Sequence, residues 1–419
     1  MTVPYFRQHT TFSTFFLFFL NILFFNKINA QSKTNTKAKP KINGVAKTPP
    51  KPQNIAPKTT VKPPIPKPQT VVTDDDTPPQ YLDIQTPKGA MSVAEMRGVW
   101  VSTIQNVDFP TRPSTNPEVL KKDWLDNLTF FKSLNLNCVI VQIRPSADAI
   151  YPSKLVPYSK FLTGKSGKAP EQKFDMLQFM IETSHAQGFE FHAWVNPFRA
   201  VLDKEGKDTA SLHPSHVMKA HRDWIFKYGN EWLLNPGIPA VRAHFVAVVE
   251  EIVKNYDVDA IHFDDYFYPY RIHNEKLPDE NTFKKYGGDF TNIDDWRRAN
   301  INEMMQKINQ VTKQHKSNCQ IGVSPFSVWR NKKDDPRGSD TRAGQRCYDD
   351  LYADVLAWLE NDWIDYVTPE VYFHFGFELA DYEKIVNWWV KNTPLSKRLY
   401  IGHAVYKVNN NQYTQWSEP

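Results

Sequence analysis

The chain has 419 residues, 41% hydrophobic and 14% aromatic, with a formal net charge of +5; it has room for one barrel of roughly 250 to 350 residues with attachments, or for two ordinary domains. The charge is lopsided: residues 1–30 carry +2, residues 31–88 carry +6, and the remainder is left at −3; a slightly acidic folding part argues against nucleic acid as the main partner, because phosphate binding needs a basic face. Three cysteines give no disulfide framework, Cys319 and Cys347 lie too far apart for a zinc knuckle, and no metal or other cofactor is expected.

Arg7 precedes the apolar run FSTFFLFFLNILFF (residues 12–25), which gives way to a small residue, Ala30. That order reads as a secretory signal peptide over residues 1–30. The run is too short and interrupted for a membrane span, so no integral span is expected after cleavage. Export to the periplasm, cell surface or medium follows. Residues 31–88, with PPKPQ, KPPIPKPQ and TPPQ, bury nothing and read as a disordered, polyproline-like Lys/Pro linker.

From Arg97 apolar runs alternate with amphipathic stretches. Strands are expected at GVWVSTI (98–104), NCVIVQIRP (137–145), FEFHAWVNPF (189–198), DAIHFDDYFYP (259–269), QIGVSPF (320–326), IDYVTPEVYF (364–373) and LYIGHAVY (399–406). Between them, Leu120, Trp124, Leu128 and Phe131, and again Val241, Phe245, Val248 and Ile252, recur at helical spacing. Such alternation predicts an α/β fold, a (β/α)8 TIM-type barrel over residues 89–419. Seven strands are placed before the chain stops, so the barrel is expected to lack its last unit at the C-terminus.

A barrel exposes its chemistry where strands end. In DAIHFDDYFYP, alternation puts His262, Asp264 and Tyr266 on one side, with Asp265 adjacent. Neighbouring carboxyl groups in a partly buried site push one pKa upward, giving a proton donor beside an ionised partner. The competing assignment is a pair capping the next loop or bound to Arg271. In DYVTPEVYF, Glu370 shares a face with Thr368 and Tyr372; it is a second inward carboxyl or a layer residue paired to an arginine. Polar and aromatic groups recur at other strand ends: Gln142 and Arg144; His192, Trp194, Asn196 and Arg199; Trp329 and Arg330. Together they outline a cleft suited to sugar rings. No GxSxG elbow, phosphate loop or dinucleotide fingerprint occurs.

The blocks MRGVWVST, VQIRPSADAIYPS, FHAWVNPFRA, WLLNPGIPAVR, YDVDAIHFDDYFYP, IGVSPFSVWRN, YADVLAWL and DYVTPEVYF, in this order, resemble the glycosyl-hydrolase-like family ten, the domain-of-unknown-function-187 group. The resemblance spans roughly residues 96–406. It implies an exported barrel glycosidase cleaving O-glycosidic bonds in a polysaccharide, with N-acetylated bacterial wall glycan a strong candidate. On it, Asp264, Asp265 and Glu370 are the catalytic candidates, and Arg144, His192, Asn196, Arg199, His262, Tyr266, Trp329 and Tyr372 line the substrate. Glu370 stands where family members more often carry Gln, which makes it an orienting group as readily as an acid. Chitinase-type barrels offer a looser likeness: Asp259, His262, Asp264 and Tyr266 fall at the spacings of DxxDxDxE, with two of four matching. The Asp-Asp pair is more similar to that of other N-acetylhexosaminidase barrels, which use the substrate acetamide as internal nucleophile. Two other classes stay open: a glycan-binding barrel without turnover, and a metal-dependent polysaccharide deacetylase in which His192 and His262 approach Asp264.

Overall fold

A computed structural model describes residues 95–202, 209–410 and 413–416. The readings of a leader over residues 1–30 and a linker over residues 31–88 lie outside the described residues. The strands in chain order are β1 (Gly98–Val101), β2 (Cys138–Arg144), β3 (Glu190–Val195), β4 (Arg199–Leu202), β5 (Ile225–Tyr228), β6 (Glu231–Leu234), β7 (Ala260–Phe263), β8 (Gln320–Val323), β9 (Tyr366–Val367) and β10 (Arg398–Leu399). Among the described residues one parallel sheet takes seven of them in the order β1-β2-β3-β7-β8-β9-β10. Each of the seven expected strands contributes one. Burial on both faces explains their near-continuous apolar runs, as in β2, CVIVQIR, where every residue is buried.

The helices include α1 (Pro117–Ser133), α2 (Met176–Ala186), α3 (Pro239–Asn255), α4 (Ile293–His315), α5 (Val355–Glu360) and α6 (Tyr382–Asn392). Asn116 caps α1 by accepting the Glu118 amide at 2.9 Å, and Pro117 pre-sets its first turn. Asp175 caps α2 and Asn292 caps α4 in the same way. The predicted stripes face inward: Leu120, Trp124 and Leu128 are fully buried and Phe131 nearly so, as are Val241, Phe245, Val248 and Ile252 in α3. Each such side chain adds about 1.5 to 3 kcal/mol of burial free energy.

One element escaped the sequence reading. Between β3 and β7 the chain makes a small antiparallel sheet, β4-β6-β5. Its three strands have four residues each and carry Arg199, Lys227 and Glu231, too short and too charged for a clear period-two signal.

Inside the parallel sheet, Gly322 of β8 pairs in register with His262 of β7 and Tyr366 of β9. A Cβ at Gly322 would fall 1.8 Å from the Tyr366 ring, so glycine is what lets that ring fill the interior. Its hydroxyl then lies 2.8 Å from Nδ1 of His192 and 2.8 Å from Nδ1 of His262. Gly322→Ala should therefore lower stability by about 3 kcal/mol or more, the upper range for overpacking a closed core. Urea denaturation checks this; a loss under about 1 kcal/mol would show that the ring moves aside freely.

Candidate active site

The mouth is built from strand ends. β7 stops at Phe263, and the next two residues, Asp264 and Asp265, carry their carboxyl groups into the start of the following loop, both nearly buried. Glu370 lies beyond the end of β9 and is half-buried.

Asp264 is gripped by donors from three directions. Trp194 Nε1 donates to its Oδ2 at 3.1 Å, Asn196 Nδ2 donates to the same oxygen at 2.5 Å, and the Tyr266 amide donates to Oδ1 at 3.1 Å. The Asn196 orientation is itself dictated. The Gln142 carbonyl accepts Ser102 Oγ and the amides of Thr103 and Ile104, so its NH2 is the end that meets the Asn196 oxygen, at 2.6 Å. Asn196 must then present its own NH2 to Asp264. Burial pushes the Asp264 carboxyl above its ordinary value, opposed by the Arg199 charge and by these three hydrogen bonds.

Asp265 has fewer donors. The Tyr270 hydroxyl donates to its Oδ2. Burial first, and then the charge of Asp264, push it up to about 7. Burial followed by repulsion from Asp265 and Asp264 pushes Glu370 well above the carboxylate range, against hydrogen bonds from Ser324 and Tyr372. One mouth therefore holds an acid braced by donors, a carboxyl that titrates at about 7, and a carboxyl pushed well above the carboxylate range. Arg199, with its guanidinium 4.7 Å over the Tyr266 ring, is the cation that opposes the rise at both aspartates.

Of the residues expected at the site, the structure gathers Asp264, Asp265, Glu370, Asn196, Arg199, Tyr266 and Tyr372. The Arg271 alternative for the aspartates loses its partner, because Arg271 pairs with Asp350 at 2.9 Å; both aspartates do bond the loop that follows, through the Tyr266 amide and the Tyr270 hydroxyl. Four others are placed elsewhere. His192 and His262 are closed to solvent and spend their Nδ1 atoms on Tyr366 in the barrel interior; being one layer below the mouth, they cannot touch a substrate. His262 acts through a hydroxyl instead, its Nε2 standing 3.2 Å from Ser324 Oγ, and Ser324 bonds Glu370. Arg144 is fully buried behind the site, where Nη1 donates to the Asn196 and Pro197 carbonyls. Trp329 is fully buried, stacked 5.9 Å from Trp388 of α6, so its ring serves helix packing. Among the described residues, metal-ligating atoms of Cys138, Glu190 and His192 lie within 4.8 Å of one another, at the strand starts rather than at the mouth. Tyr270 and Ser324 were missed; both follow their strands, where the alternation that betrays inward residues has ended.

Fold and mouth together define a parallel α/β barrel protein with three acidic side chains gathered at its mouth. The chain belongs to the Glycosyl hydrolase-like 10 family, whose model matches residues 95–418. It is similar to glycosyl hydrolase YngK of Bacillus subtilis (strain 168), 46% identical over 334 residues, which is 79% of this chain and 64% of that protein. Glycosyl hydrolase DigH of Escherichia coli (strain K12) is 38% identical over 353 residues, 79% of either chain. Among solved structures, the PgaB (BpsB) glycoside hydrolase domain from Bordetella bronchiseptica superposes with a TM-score of 0.45 at 11% identity, over 73% of this chain and 84% of that one.

A carboxyl raised to about 7 in the folded state and about 3.9 when unfolded favours the folded state fully below pH 4, and that advantage is lost as pH rises through 7. Asp265→Asn removes the titration. The variant should be more stable than the wild type at pH 8, by on the order of 2 kcal/mol, with the gap closing toward pH 4. Denaturant midpoints across that range test it, and a gap independent of pH counts against the assignment.

Proposed function

We propose that the protein is a glycosidase that hydrolyses O-glycosidic bonds in a polysaccharide, with N-acetylated bacterial wall glycan the leading substrate. The observation that supports this is the unlike setting of two adjacent aspartates: Asp264 braced by three donors, Asp265 titrating at about 7. Glycoside cleavage needs one carboxyl to give a proton and another to stay charged.

In this reading the proton of Asp265 passes to the glycosidic oxygen as its bond to the anomeric carbon breaks. Asp264 accepts a hydrogen bond from the acetamide N–H, so the acetamide oxygen can close on the anomeric carbon. A water molecule then opens that ring, returning a proton to Asp265. Glu370, kept neutral, is an orienting donor and acceptor. A wall-glycan substrate calls for an exported enzyme, which the leader expected over residues 1–30 would provide. A deacetylase arrangement is disfavoured because His192 and His262 turn Nδ1 to Tyr366, not toward Asp264. The similar proteins named glycosyl hydrolases favour turnover over a binding-only barrel.

Reducing ends released from purified wall glycan, with and without stem peptides, give the assay. Asp264→Asn and Asp265→Asn should each cut turnover by about a hundredfold or more while remaining folded, the scale of lost acid-base catalysis, and Glu370→Gln should cost no more than about tenfold. Folded aspartate variants that cleave at near wild-type rates would overturn the proposal. A wild type that retains glycan yet releases no ends would identify a binding barrel.

A further inference from the structure

We infer that a run of aromatic rings leaving the carboxylates on the β7–β9 side of the mouth is a chain-binding track, so that the protein takes a glycan several sugars long. The inference rests on the glycosidase reading and extends the same site. The run begins at Asp265, whose carboxyl accepts the Tyr270 hydroxyl. From Tyr270 the next ring is Phe326 at 6.3 Å, then Phe373 at 6.3 Å, then Phe377 at 5.3 Å. These residues come from successive loops after β7, β8 and β9, so the rings step around the rim of the barrel. Each step is close to the advance of one pyranose along a glycan. The first two contacts are edge to face, at 76° and 74°, which holds rings side by side and does not use up every face against a neighbour.

Core packing accounts for Phe326, Phe373 and Phe377, which lean on the main hydrophobic cluster. It does not account for Phe375. That ring is 69% exposed and, among the described residues, meets one other ring, Tyr382 at 4.8 Å. Its loop is nonetheless well fixed: Gly376 turns with φ +74° and donates its amide to Asp381, which also caps α6 through Lys384 N at 3.1 Å, while the Arg342 amide binds the Leu379 carbonyl at 2.8 Å. A large apolar ring displayed on the loop that carries Phe373 and Phe377, the last two rings of the run, fits the apolar C–H face of a sugar. Several weak stacking contacts along one chain add through effective concentration, which only a long substrate exploits.

The test compares wild type, Phe375→Ala and Phe375→Tyr on N-acetylglucosamine oligomers of two to six units and on peptide-free wall glycan strands. Phe375→Ala should lose about three- to tenfold more in kcat/KM on the longest substrates than on the shortest, through KM, the scale of one lost aromatic contact. Phe375→Tyr should recover most of it. Equal effects at every length, or no effect, would overturn the track while leaving the glycosidase reading intact. If the wild type cleaves none of these probes, the glycosidase reading is what fails, and retention of the strands in affinity electrophoresis then tests the track. Retention lost in Phe375→Ala and recovered in Phe375→Tyr supports it; no retention by the wild type overturns it.

Discussion

Keeping three acidic side chains in one closed mouth is the constraint on which the rest of the site depends. An isolated buried carboxylate costs several kcal/mol, so each must be protonated or supplied with donors. The structure does both. Asp264 receives the donors, and supplying them organises three other strand ends: Ser102 and the amides after β1 fix Gln142 of β2, Gln142 fixes Asn196 after β3, and Asn196 reaches Asp264. Asp265 and Glu370, with fewer donors, are pushed upward by burial and by their acidic neighbours. Unlike surroundings for neighbouring acids are thus a consequence of how hydrogen bonds were distributed among them.

Beneath the mouth the barrel follows the opposite rule. Its floor is polar but carries little charge: burial, with the neighbouring His192, pushes His262 well below the imidazole range. A single tyrosine hydroxyl joins the two imidazoles, and Gly322 makes room for the ring that bears it. Trp100 Nε1 closes the other side of His262 at 3.3 Å. Such a floor fixes Ser324, and through it Glu370, in the manner of a supporting layer that locks reactive groups against drift.

The parallel strands and their flanking helices were legible because burial on both faces writes a long apolar run, and burial on one face writes a 3.6-residue stripe. The aspartate pair was legible for a related reason: two charges directly after an apolar strand stand out. What strand alternation does not report is depth. His192, His262 and Asn196 all point inward, yet the histidines lie one layer down and Asn196 reaches the mouth. Alternation likewise ends with the strand, so Tyr270 and Ser324 carry no periodic mark. Trp329 shows the converse error, since a large aromatic just past a strand is as useful to a packing helix as to a sugar, and here Trp388 takes it. The small antiparallel sheet was hidden by brevity.

Glu370 is where electrostatics and family pattern meet. Burial and both aspartates push its carboxyl well above the carboxylate range, which favours its protonated form. A protonated carboxyl offers one O–H donor and a carbonyl acceptor, and a glutamine amide offers a donor and an acceptor from nearly the same atoms. The Gln expected in relatives and the Glu found here are then similar hydrogen-bonding groups set before the same substrate. The difference lies in charge regulation: when Asp264 or Asp265 loses a proton, Glu370 holds its own more tightly, which keeps the mouth from accumulating three negative charges. A glutamine has no proton to regulate, so a relative carrying it must leave the balance of charge to the aspartate pair alone.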